Sequence, residues 1–127
     1  MSDGKVNSYR DLLVWRKGIE LVKSIYLISQ AFPADERFGL TTQLRRAVVS
    51  VPSNIAEGQA RHTTGEFIHA ISHSEGSLAE VDTQLVIATE LGYCKQSDTD
   101  LAPGLVSELQ KMLTALRRNL QEKRTTH

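Results

Sequence analysis

Apolar residues recur at spacings of three and four along most of this chain, and no long stretch alternates with period two. That periodicity predicts helices and no strands. The first runs from about Tyr9 to Phe32 and stops at Pro33. The second follows Asp35 and carries Leu40, Leu44, Val48, Val51 and Ile55 on one face. A threonine three residues before a glutamate, in Thr63-Thr64-Gly65-Glu66, has the form of a capping box that satisfies backbone donors at a helix start. The third helix is therefore expected to begin near Thr64, with Phe67, Ile71, Leu78, Val81, Leu85 and Ala88 on its core face and Gly92 as its terminator. The fourth begins between Ser97 and Pro103, because proline is tolerated in a first turn, and continues through Leu105, Leu109, Met112, Leu116 and Leu120. Short connections make consecutive helices antiparallel. The expected fold is all-α, an up-down-up-down antiparallel four-helix bundle over residues 9–123, with residues 1–8 and 124–127 as flexible ends.

Pro52 stands inside the second pattern. Proline has no N–H to donate and its ring crowds the carbonyl four residues back, at a cost of about 3 kcal/mol. The apolar stripe nevertheless keeps its phase through Pro52, which predicts one helix from about Asp35 to Ala60, kinked where the Val48 carbonyl loses its partner. Ser50 can bond local backbone groups there. Arg46, Ser50, Pro52, Asn54 and Glu57 are the candidate residues of a groove shaped by this kink.

The first helix has two apolar stripes roughly 100° apart. One is Trp15, Ile19, Val22 and Tyr26, and the other includes Val14, Leu21, Ile25 and Ile28. A helix on the outside of a bundle needs an apolar sector of about 100°, and this one has nearly twice that. A second chain is the expected cover, with Val14, Leu21, Ile25 and Ile28 as candidate subunit-interface residues.

The remaining composition narrows the class of protein. At 127 residues, 40% apolar and 24% charged, the chain is expected to be one soluble domain. Its single cysteine, Cys94, excludes an internal disulfide and fits a reducing compartment. The opening residues have no signal-peptide core and no apolar run reaches membrane-spanning length, so a cytoplasmic location with no membrane contact is expected.

Fifteen basic residues balance fifteen acidic ones, but not evenly along the chain. Residues 66–100 hold seven acidic side chains against Lys95, a net −6, whereas residues 37–62 and 101–127 each carry a net +3. Pairing of these charges within the bundle accounts for most of them. A basic strip repeated around an oligomer would also collect RNA or DNA phosphates, with Arg45, Arg46, Arg117 and Arg118 as candidate contacts. No aromatic residue interleaves these arginines in sequence, so base stacking has no support there.

Catalytic chemistry has little to stand on. His62, Glu66, His69 and His73 share one face of the third helix, at spacings that can hold zinc. That face lies roughly opposite the core stripe, and Glu66 already has a capping role, so a polar outer face or a subunit seam is the expected reading. Cys94 follows a helix C-terminus, where the dipole disfavours a thiolate. No phosphate loop, dinucleotide fingerprint or serine elbow occurs. No enzyme activity, metal or cofactor is expected.

Several blocks resemble one family. Leu13-x-Trp15-x-Lys17, Phe32-Pro33-x-x-Glu36-Arg37-Phe38-Gly39-Leu40, Gln43-Leu44-Arg45-Arg46-Ala47, Ser50-Val51-Pro52-Ser53-Asn54-Ile55-Ala56-Glu57-Gly58 and Gly76-Ser77-Leu78-x-Glu80 occur in order. Together they resemble the four-helix bundle proteins encoded in 23S rRNA intervening sequences, from about Tyr9 to Lys123. The resemblance implies a homopentameric ring of bundles. A related branch consists of accessory proteins of diversity-generating retroelements, which implies nucleic acid and a reverse transcriptase as possible classes of partner. The chain departs from many relatives at Gln59-Ala60-Arg61, where they have a glycine before the arginine.

Overall fold

The computed structural model describes residues 8–95 and 101–125. After a 3-10 turn at Tyr9–Asp11 come α1 (Leu13–Ser29), a second 3-10 turn (Ala34–Glu36), α2 (Leu40–Gln59), α3 (Thr64–Glu90) and α4 (Leu101–Thr125), with no strand among the described residues. The expected N-terminal segment lies almost wholly outside the described residues, as do Asp98 and Asp100 of the acidic stretch. At the other end α4 continues helically to Thr125, past the boundary expected at residue 123.

The helix ends follow from side-chain chemistry. At α3 the Thr63 hydroxyl accepts the Glu66 N–H at 3.1 Å and donates to Glu66 Oε1 at 3.0 Å. At the far end Gly92 takes φ 76°, its N–H reaches the Thr89 carbonyl, and the Tyr93 N–H reaches the Ala88 carbonyl. This pair of bonds is the Schellman arrangement, which needs a residue free to adopt positive φ.

The start of α2 corrects the expectation. The helix begins at Leu40 and not near Asp35, because Glu36 folds back as a cap: its Oε1 accepts the Leu40 N–H at 3.2 Å. A Cβ at Gly39 would come within 2.7 Å of that same oxygen, so a side chain there would push the Glu36 carboxylate away from the Leu40 N–H. The other carboxylate oxygen receives the Tyr93 hydroxyl at 2.6 Å, joining this turn to the segment after α3. The Tyr93 hydroxyl first, and then the Leu40 N–H, hold the Glu36 carboxyl below the usual carboxylate range. The same hydrogen bond to Glu36 raises the Tyr93 phenol above its ordinary value.

Each helix packs on two others, α1 on α2, α2 on α3, α3 on α4 and α4 on α1. Neighbours meet in opposite senses. Gly18 faces Pro52 while Ser29 bonds Arg45; Gly58 faces Phe67 and Ala70 while Val51 bonds Ser74; Gly65 faces Arg124 while Glu75 bonds Arg117. Leu44, Val48, Val51 and Ile55 of α2 meet Ile71, Leu78, Val81 and Leu85 of α3 in a core completed by Leu105, Leu109 and Leu113 of α4. Each large apolar side chain buried there stabilises the fold by about 1.5–3 kcal/mol. No helix of the described residues is long and apolar enough to cross a membrane.

The sequence expectation about the α1 stripes changes in this setting, while that of a helix passing through Pro52 holds. Val14, Leu21, Ile25 and Ile28 are only 5%, 0%, 0% and 8% exposed, so they are α1's contribution to the chain's own core and not a subunit interface. The stripe left at the surface is the other one, with Ile19 and Tyr26 exposed and Trp15 and Val22 half-buried. In α2 the helix runs unbroken across Pro52, which is buried. The Ser50 hydroxyl donates to the Arg46 carbonyl at 2.9 Å, a bond to local backbone of the kind expected.

Candidate functional site

Two surface regions collect most of the side chains singled out in the sequence. The first is an open groove of ≈ 550 Å³ where the end of α2 crosses the start of α3. Asn54, Glu57 and Arg61 form one wall, and Glu66, His69 and His73 the other. The walls approach because residue 58 is glycine: a Cβ there would lie 2.6 Å from the Ala70 Cβ and 2.9 Å from Phe67 Cδ1. Arg61 bonds Glu57 Oε1 at 2.6 Å and stands 4.0 Å from Glu66, so it ties the two walls together. Its hydrogen bond to Glu57 holds the guanidinium further above its ordinary pKa. On the opposite wall, His69 and His73 place their Nε2 atoms 3.0 Å apart, with rings edge to face.

Sequence reasoning found Asn54 and Glu57 through the proline and His69 and His73 through their spacing, but treated them as separate features. The antiparallel pairing of α2 on α3 makes them one groove. His62, though exposed, is not part of its lining. Arg46 and Ser50 are not part of it either.

Those two residues belong to the second region, a hollow of ≈ 570 Å³ between α1 and α2 lined also by Tyr26, Thr42, Arg45 and Val49. Thr42 donates its hydroxyl to the Arg37 carbonyl, which ties this hollow to the turn before α2. There Phe38 is 88% exposed, with the Arg37 guanidinium 5.3 Å from its ring centroid. Pro52 faces neither region. It packs inward on α1, where a Cβ on Gly18 would come within 3.2 Å of the Pro52 Cβ.

The four candidate arginines divide into two kinds. Arg45 donates to Ser29 Oγ at 2.8 Å and to the Tyr26 carbonyl at 3.4 Å, and its guanidinium lies 4.6 Å from the Tyr26 ring centroid. A cation there satisfies a last-turn carbonyl of α1 and complements its dipole. Arg117 grips Glu75 with Nε at 2.7 Å and a second nitrogen at 3.4 Å, while Thr114 donates to the same carboxylate. These two arginines join helices. Arg46 and Arg118 are exposed. Since α2 and α4 are not neighbours in the cycle of helix contacts, the arginine pairs lie on different sides of one chain.

The family model of the 23S rRNA-intervening sequence protein matches residues 10–115. No curated protein matches the chain.

Proposed function

The chain belongs to the 23S rRNA-intervening sequence protein family, and from that premise we propose a non-enzymatic, homo-oligomeric helical scaffold that engages a partner protein or nucleic acid. The observation that carries self-association is the outer stripe of α1. Ile19 is 36% and Tyr26 40% exposed, Trp15 and Val22 are half-buried, and Val49 of α2, 40% exposed, lines the same hollow as Tyr26. Apolar and aromatic side chains gathered on one face are the surface a second copy would cover. The pentamer implied by the family resemblance is the assembly proposed, in a cytoplasmic protein. In this reading a bend of α2 at Pro52 serves the close approach of α1 at Gly18.

Mass in solution tests it. The chain is expected to sediment as a multimer at micromolar concentration, and Ile19→Glu combined with Val49→Glu should convert it to a folded monomer. A wild-type chain that is monomeric under those conditions overturns the reading.

A specific arrangement supports nucleic acid as the partner. No aromatic residue interleaves Arg45, Arg46, Arg117 and Arg118 in sequence, but the exposed Phe38 ring lies against the guanidinium of its neighbour Arg37. Exposed rings beside guanidinium groups suit base stacking combined with phosphate contact. Arg46→Glu with Arg118→Glu should abolish retention of structured RNA, and wild-type retention should fall steeply with salt. Arg45 and Arg117 are poor probes because their loss disturbs helix packing. Retention that is absent, or insensitive to salt, removes this reading.

A further inference from the structure

We propose that His69 and His73 form a two-imidazole binding site for a divalent transition metal, of the Cu(II) or Ni(II) class, in the α2–α3 groove. The spacing of four residues puts both imidazoles on one face of α3, one turn apart. Their Nε2 atoms already face each other at 3.0 Å. With metal–nitrogen bonds of about 2.0–2.1 Å, that separation corresponds to a nitrogen–metal–nitrogen angle of roughly 95°. Two imidazole nitrogens at that separation, with the other positions open, suit the square-planar or tetragonal N,O coordination of Cu(II) and Ni(II), the ions with the highest affinity for nitrogen ligands.

The setting decides which atoms are available. Glu57 is held by Arg61 at 2.6 Å, and Glu66 Oε1 receives the Thr63 hydroxyl at 3.0 Å. One oxygen of each carboxylate is thus already engaged, whereas the two imidazole nitrogens face each other directly. Among the described residues no group of three or more His, Cys, Asp or Glu side chains is placed to hold a metal. The chain therefore supplies two ligands, and water or an added molecule fills the remaining positions. Such a site is open, unlike the closed four-ligand sites that hold structural zinc. Ligation uses both Nε2 lone pairs, so each ring binds as the neutral imidazole with its proton on Nδ1.

The test is calorimetric titration of the full chain, without an affinity tag, with CuCl2, NiCl2 and MgCl2. One equivalent of Cu(II) should bind more tightly than Ni(II), with no binding of Mg(II). His69→Ala and His73→Ala should each weaken Cu(II) binding by at least about tenfold, since even second-shell losses cost about 10- to 100-fold. His62→Ala should leave it within about twofold. Both imidazoles are exposed, so circular dichroism should show unchanged helix content in either variant. Nitrogen hyperfine structure in the Cu(II) resonance spectrum should report two imidazoles in the wild type and one in each variant. Absent Cu(II) binding, a weakening of less than tenfold in either variant, or an equal loss on removing His62 overturns the proposal.

Discussion

An Ile25→Glu chain should fail to fold, while Tyr26→Glu, changed one residue further on, should remain folded. Ile25 is 0% exposed and belongs to the central core. Its replacement forfeits about 1.5–3 kcal/mol of apolar burial. It also places a carboxyl where nothing can pair with it, at a further cost of about 2–7 kcal/mol. Together these come to about 3.5–10 kcal/mol, comparable with the lower part of the roughly 5–15 kcal/mol that holds a typical domain together. Tyr26 is 40% exposed, so a carboxylate there reaches water; within the chain its ring contact with Arg45 is lost, while the backbone carbonyl bonded by Arg45 is unchanged. That contact is worth about 0.5–1 kcal/mol at an exposed site. Urea unfolding followed by circular dichroism separates the two outcomes. A stable Ile25→Glu chain would mean that the other stripe of α1 is the buried one.

Gly58→Val should lower stability by about 3 kcal/mol, at the upper end of what overpacking a well-packed site costs. The obstacle is the Ala70 Cβ, 2.6 Å from where a Cβ would stand. That atom is fixed to the α3 backbone and has no rotamer to yield, so the helices must move apart. A melting temperature lower by roughly 10 °C is expected for a chain of this size. Gly76→Ala is the matched control, with nothing within 4 Å of its added Cβ. There the gain in helix propensity acts alone, and the chain should be stabilised by about 1 kcal/mol. Scanning calorimetry of both variants checks the contrast. An unchanged melting temperature for Gly58→Val would show that the α2–α3 crossing is looser than its geometry implies.

The groove depends on that crossing, which explains how much of it was legible beforehand. Spacing alone placed His69 and His73 on one face of α3, and the proline drew attention to Asn54 and Glu57. Their meeting required knowing which turn of α2 lies on which turn of α3. Helical periodicity reports the angle of a side chain about its own axis and nothing about the neighbour it faces. The same blindness applied to the arginines. Arg45 and Arg117 resemble Arg46 and Arg118 in sequence, yet one of each adjacent pair turns inward to Ser29 or Glu75 and the other turns out.

By itself the sequence determined the number and kind of elements, because spacing, caps and breakers act within a few residues. The Thr63 cap, the Gly92 terminator and the passage of α2 through Pro52 are local matters of this kind. Only the tertiary structure decided which stripe of α1 is core. Both stripes are apolar, and burial goes to the one that faces the other three helices. It also decided that α2 starts at Leu40, since the Glu36 cap is held in place by Tyr93, 57 residues away. Contacts between residues so distant in sequence leave no periodic trace, because either partner alone is an ordinary polar side chain.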